Sequence, residues 1–228
     1  GNIVRAYEKY SDDQPRDDHG RWGDGGGGSA PAGSGTGGSG HSGGSGRTRE
    51  ERDRIIAQSS SNYDVPNPSG PDTLSQYTRA NGTITSKRQE LHEAIVDNHF
   101  DGKASVEQPT VTFLGGGPAS GKTEVIVKKV LPADPNRVHI DTDEIKKTGL
   151  PEYRERVAAG DVKAAGFVHE ESSTVSKQAM AKAAAGKYDT LVDGTGDGSA
   201  DAMVKKANQF RAQGHKVVAH YSTVDVED

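Results

Sequence analysis

Apolar residues are spread unevenly along the chain, and their spacing separates a long polar leader from a patterned C-terminal half. Before residue 84 only residues 47–58, RTREERDRIIAQ, hint at order: one apolar pair among charges allows a short helix. Ser86 with Gln89 forms a capping-box pattern ahead of Leu91, Ile95 and Val96 at helical spacing, which predicts an amphipathic helix over 86–100. TVTFLG at 110–115 is β-branched and apolar with no polar face, as expected of a strand covered on both sides. Glycines follow, then TEVIVKKVL at 123–131 with helical periodicity. Further strands are predicted at 137–141, 189–194 and 216–223. A long helix is predicted from about Asp161, which would cap it, and another over 199–213. Strands alternating with helices imply right-handed crossovers and a mainly parallel sheet, hence an α/β sandwich.

Composition sharpens the division. Hydrophobic residues make up only 31% of the 228, too few for a core running the whole length. Much of the glycine excess lies in residues 23–46, GDGGGGSAPAGSGTGGSGHSGGSG, which reads as a flexible linker unable to bury apolar surface. The expected organisation is therefore a charged segment at 1–22, the linker at 23–46, an irregular and partly disordered connector at 47–83, and one folded domain at 84–228. SSSNYDVPNPSGPD, with three prolines, is expected to break regular structure within the connector. A net charge of −5 argues against a broad nucleic-acid or anionic-membrane surface. No apolar run approaches the roughly 20 residues that span a bilayer. The absence of cysteine excludes disulfides and thiolate metal sites, which fits a reducing, cytoplasmic compartment. The chain opens on Gly1 and closes on Asp228 just after an apolar run, so it reads as a piece of a longer protein.

The chemistry concentrates in GGGPASGKT at 115–123. Gly116, four further residues and then Gly121-Lys122-Thr123 satisfy the phosphate-loop pattern, with a buried strand predicted before it and a helix after it. Each residue has a physical reason to be there. Gly116, Gly117, Pro118, Ala119, Ser120 and Gly121 keep bulk away while the backbone N–H groups converge on phosphate oxygens. The helix starting near Gly121 adds its free amides and positive dipole end. Lys122 would bridge the β- and γ-phosphates, and the Thr123 hydroxyl would hold Mg²⁺. The competing reading is a plain turn with a solvated lysine.

Acidic residues stand at the ends of the next two strands. In HIDTDE (139–144), Asp141 and Asp143 should face the crevice at the carboxyl ends of the strands, one assisting Mg²⁺ and the other accepting a proton from an attacking hydroxyl. Strand alternation would put both on one side; the bland alternative is an N-cap for the short helix EIKK. Asp193 ends the third strand in LVDGTGDGS and is a second candidate for Mg²⁺. Thr195, on the glycine-flanked turn, is a candidate contact to substrate or phosphate, against a tight turn before a helix capped by Ser199. His169, Glu170 and Glu171 read either as a solvated face or as a carboxylate aimed at a sugar hydroxyl. Their spacing does not match a zinc motif.

Taken together, GGGPASGKT, HIDTDEIKKTGLPEY, HEESS and LVDGTG resemble the zeta toxin family of P-loop kinases over about residues 84–223. The resemblance implies a P-loop NTPase/kinase three-layer sandwich with a mainly parallel sheet, preceded by the Gly/Ser-rich region. It implies use of ATP or GTP with Mg²⁺ and transfer of the γ-phosphate to a hydroxyl of a small molecule, in the best-understood members the 3′-hydroxyl of UDP-N-acetylglucosamine. It makes Asp143 the catalytic base, with Lys122 and Thr123 in phosphate and magnesium roles. Asp193 stands at the family's strand-end acid, Thr195 matches its Gly-Thr-Gly, and Glu171 matches a substrate contact. An antitoxin is then a possible partner. Family kinases carry arginines in a lid beyond the fourth strand, and this chain ends before that point. YSDDQPRDDHGRWGDG looks like tails of phage head proteins, which suggests a phage-encoded origin, a host-cytoplasmic or virion location and a structural partner. Two other classes compete with the kinase: an inactive nucleotide-binding or structural module, and a polynucleotide 5′-kinase, the latter disfavoured by the acidic balance.

Overall fold

The computed structural model describes residues 46–60, 64–116, 131, 133–193 and 200–222. Segment 1–22, nearly all of the 23–46 linker, phosphate-loop residues 117–123, the helix expected after them and Thr195 lie outside the described residues.

Four strands form one parallel sheet: β1 (Thr110–Gly116), β2 (Val138–Asp141), β3 (Thr190–Asp193) and β4 (Lys216–Ser222), in the order β2-β3-β1-β4. The predicted α/β fold with a mainly parallel sheet is borne out, and it is consistent with a P-loop kinase fold. After β1 the chain crosses over β3 to reach β2, and after β3 it crosses over β1 to reach β4. Connections therefore leave the β3–β1 pair in opposite directions, which opens a crevice at their carboxyl ends.

One face of the sheet carries the main core. Val111 and Phe113 of β1, Val138 and Ile140 of β2 and Val192 of β3 pack with helices α3 (Ser86–Asn98), α7 (His169–Ala185) and α8 (Ala200–Ala212). Along α7, Val175, Ala179 and Ala183 repeat every four residues and are fully buried, so the helix lies close to the sheet. Phe113 and Phe210 meet edge-to-face at 6.0 Å, fixing α8. On the opposite face Leu114 and Leu191 pack with Leu131.

Two local readings are corrected. The capping box predicted at Ser86 and Gln89 is not formed: Thr85 is the N-cap, and its hydroxyl makes no capping bond. A complete box instead starts α1 (Arg49–Gln58), where Thr48 Oγ1 accepts from Glu51 N and Glu51 Oε2 accepts from Thr48 N. The long helix does not begin at Asp161. Gly160 sits at φ +77°, and Asp161 turns its carboxylate back to Lys163 N and Arg156. A single turn, α6 (Ala164–Phe167), comes next, and α7 starts only after the fully buried Val168.

Order also begins well before residue 84. On α1, Ile55 and Ile56 pack on the core, and the buried Arg52 bonds to Asn98 Oδ1 and Asp101 Oδ1 beyond the end of α3. The proline-rich stretch is followed by α2 (Thr73–Tyr77), capped by Asp72 and carrying the buried Tyr77. Among the described residues no helix is long and apolar enough to cross a membrane.

Candidate active site at the carboxyl edge of the sheet

Strand register decides what meets at this edge. Asp141 of β2 pairs with Asp193 of β3, and Asp193 pairs with Leu114 of β1, two residues before Gly116. The strand that leads into GGGPASGKT thus ends beside Asp193, with Asp141 one strand further across the sheet. His139 joins them: ligand atoms of His139, Asp141 and Asp193 all lie within 4.8 Å of one another. Two carboxylates suit a hard cation such as Mg²⁺, whereas the imidazole is a ligand of softer metals, so the donor set fits Mg²⁺ through the two acids alone. His139 was legible in the sequence as the residue two before Asp141 on the same strand face, because burial along β2 alternates.

Asp141 has a second task. Its Oδ1 accepts from the backbone N–H of Asp143 at 2.8 Å and of Glu144 at 3.4 Å, capping α4 (Thr142–Glu144). The cap reading is therefore correct for Asp141, and strand alternation does not carry Asp143 into the crevice, since β2 ends at Asp141. Asp143 reaches the edge from the first turn of a helix instead. Its side chain is 66% exposed and bonds to Lys146 Nζ at 2.9 Å. That hydrogen bond holds the Asp143 carboxyl below the usual carboxylate range, outweighing partial burial. The carboxylate is therefore ionised, as a proton acceptor must be. His169, at the start of α7, has its pKa lowered by burial and then by Lys146, which favours the neutral ring.

Glu171 is placed where a solvated face cannot be. It is 0% exposed, and its carboxylate is taken by Arg88 and His92: Arg88 Nε to Oε1 at 2.5 Å, Arg88 Nη2 to Oε2 at 2.6 Å, and His92 Nε2 to Oε1 at 2.6 Å. Arg88 also grips Glu152 with both terminal nitrogens, at 2.9 and 2.8 Å, and Tyr77 Oη donates to Glu152 Oε1 at 2.9 Å. Burial alone would raise the Glu171 pKa, but the bonds from Arg88 and His92 prevail and hold it at about 2. This cluster ties α2, α3, α5 (Pro151–Ala158) and the first turn of α7 together. In this arrangement Glu171 has no oxygen open to a substrate. Glu170, by contrast, is exposed.

A zeta toxin family model matches residues 93–227, more than half of the chain. The chain belongs to the zeta toxin family. Over 125 residues, 55% of the chain, it is 27% identical to toxin zeta of Streptococcus pyogenes, of which that stretch covers 43%. Over 123 residues, 54% of the chain, it is 27% identical to toxin zeta of Enterococcus hirae, covering 42%. The chain thus spans less than half the length of these curated relatives. A solved structure from a study of the PezAT chromosomal toxin–antitoxin system of Streptococcus pneumoniae superposes with a TM-score of 0.52 at 24% identity. It covers 61% of this chain and 57% of that one, and it speaks for the fold alone. In this zeta toxin family member α1, α2 and most of α3, with Tyr77, Arg88 and His92, precede the matched region, while Glu152 and Glu171 lie inside it.

The same domain predicts an acid sensitivity. Burial, together with the charge of His139, lowers the pKa of His99 to about 4, although Asp141 opposes this. The unfolded chain takes up this proton near pH 6.5, the folded one only near 4. The stabilisation is therefore fully present above 6.5 and is lost as pH falls through that window. His99→Gln is expected to lose roughly 2–3 kcal/mol less stability than wild type between pH 6.5 and 4 in urea unfolding. Parallel curves would remove His99 as a source of the slope.

Proposed function

We propose that this protein is a small-molecule kinase that transfers the γ-phosphate of ATP or GTP to a hydroxyl of a UDP-activated amino sugar. The observation that carries the reading is the convergence, at one sheet edge, of the strand leading into the phosphate loop with Asp141, Asp193 and the ionised Asp143. Membership of the zeta toxin family supports it.

In this reading Gly116, Gly117, Pro118, Ala119, Ser120 and Gly121 cradle the phosphates, and Lys122 faces the β- and γ-phosphates. Thr123, Asp141 and Asp193 hold Mg²⁺, whose chemistry is to neutralise charge developing on the phosphoryl oxygens. Asp143 accepts the proton of the acceptor hydroxyl. The acceptor oxygen bonds to the γ-phosphorus, the bond from that phosphorus to the β–γ bridging oxygen breaks, and the nucleoside diphosphate departs with that electron pair. Thr195 is assigned a contact to the acceptor. Glu171 could reach an acceptor hydroxyl only if Arg88 and His92 yielded it, so its role here is to fix the first turn of α7, where His169 lies near Asp143. An antitoxin partner belongs to the same proposal.

The test supplies ATP, Mg²⁺ and UDP-N-acetylglucosamine to the longest natural form of the protein and follows phosphorus by NMR. A new phosphomonoester signal on the sugar nucleotide is expected. Triphosphate binding without any transferred phosphate would reduce the protein to a nucleotide-binding module.

A further inference from the structure

Lys146 is an unusual lysine. It is 9% exposed, and its only ion pair among the described residues is to Asp143 Oδ1 at 2.9 Å. Burying an ammonium is costly unless a partner compensates it, so a lysine kept in such a place needs that partner. The backbone explains how it gets there. Ile145–Gly149 forms a π-helical turn, a rare conformation that concentrates at functional sites. Ile145 and Leu150 are buried at either end of this turn. At Gly149 an added Cβ would lie 2.7 Å from Ile95 Cδ1, so glycine lets the turn press against α3. Anchored in this way, the turn sinks the Lys146 stem and delivers its head to Asp143. Only one carboxylate oxygen is taken; among the described residues Oδ2 of this largely exposed side chain has no hydrogen bond or ion pair.

We propose that Lys146 is a positioning residue for Asp143: holding Oδ1 fixes the carboxylate in one rotamer and presents Oδ2 to the acceptor hydroxyl. The inference deepens the kinase reading and rests on Asp143 as its base. An exposed aspartate without such a tether samples several χ1 wells, and the fraction of time spent in the productive one scales the rate. The tether acts on the reacting geometry rather than on acceptor affinity. Its loss should therefore appear in kcat and not in KM.

The experiment compares wild type, Lys146→Met, Lys146→Arg and Asp143→Asn. Three-bond couplings between the α- and β-protons of Asp143 report its rotamer without any need for catalysis. They are expected to show one rotamer in wild type and Lys146→Arg and an average in Lys146→Met, where methionine fills the same space without a donor. With ATP and UDP-N-acetylglucosamine as probes, Lys146→Met is expected to lose about tenfold in kcat with KM within twofold, and Lys146→Arg to recover most of the loss. A single Asp143 rotamer in Lys146→Met overturns the proposal. Averaged couplings with unchanged kcat overturn its catalytic part. If Asp143→Asn turns over as fast as wild type, it is the base assignment that fails, and the couplings alone then decide whether Lys146 holds Asp143.

Discussion

Arg88→Met is expected to destabilise the folded domain by about 3–5 kcal/mol at pH 7, because it leaves two buried carboxylates without their shared cation. Arg88 is 4% exposed, Glu152 4% and Glu171 0%, so water cannot take over what the guanidinium supplies. Arg88 donates all four of its bonds to these two groups, in the forked geometry that only arginine offers. Arg88→Lys keeps the charge but not the fork, and should recover only part of the loss. The pH dependence supplies a second signature. In wild type the Glu171 pKa is held at about 2, so its stabilisation is present above its ordinary 4.5 and is lost as pH falls towards 2. In Arg88→Met the buried Glu171 loses its main cation and burial opposes its ionisation, so the penalty shrinks as pH falls and the two stability curves converge. Urea unfolding at pH 7 and pH 4 measures both effects. A loss below about 1 kcal/mol at pH 7 would show that the cluster is held by other means.

Asp143→Asn is expected to lower phosphoryl transfer by about 10²–10⁴-fold while leaving nucleotide affinity within a few-fold. The amide matches the carboxylate in shape but cannot take up the acceptor proton. The exposed position and the helix cap from Asp141 limit the cost to the fold, and the new amide keeps an oxygen that can accept from Lys146 Nζ. The quantity to compare is kcat/KM for the sugar nucleotide at saturating ATP. Equal values in the two proteins would remove Asp143 from the role of base.

The strands were legible because each is a short apolar run between turn formers, and all four appear within about two residues of their predicted limits. Their carboxyl ends then located the crevice, so Asp141 and Asp193 could be brought together without coordinates. Helix starts were less legible, since side chains with capping ability outnumber caps: Thr48 with Glu51 formed the box that Ser86 with Gln89 did not. The N-terminal limit of the domain was hidden for a different reason. Arg52 and Arg88 reach partners 49 and 83 residues away, and no local period records such pairs. Glu171 shows the same blindness. Within HEESS it looks like one more charge on a wet face, and only the fold brings Arg88 and His92 to it. Lys146 escaped notice because a π turn, not a regular helix, sets its direction.

The most direct test of the central claim is calorimetric titration of ATP into the protein with and without Mg²⁺, for wild type and Lys122→Ala. Magnesium-dependent binding that the alanine variant loses is the expected result. Equal heats from the two proteins, or no binding of any purine triphosphate to wild type, would contradict a phosphate site at this edge of the sheet.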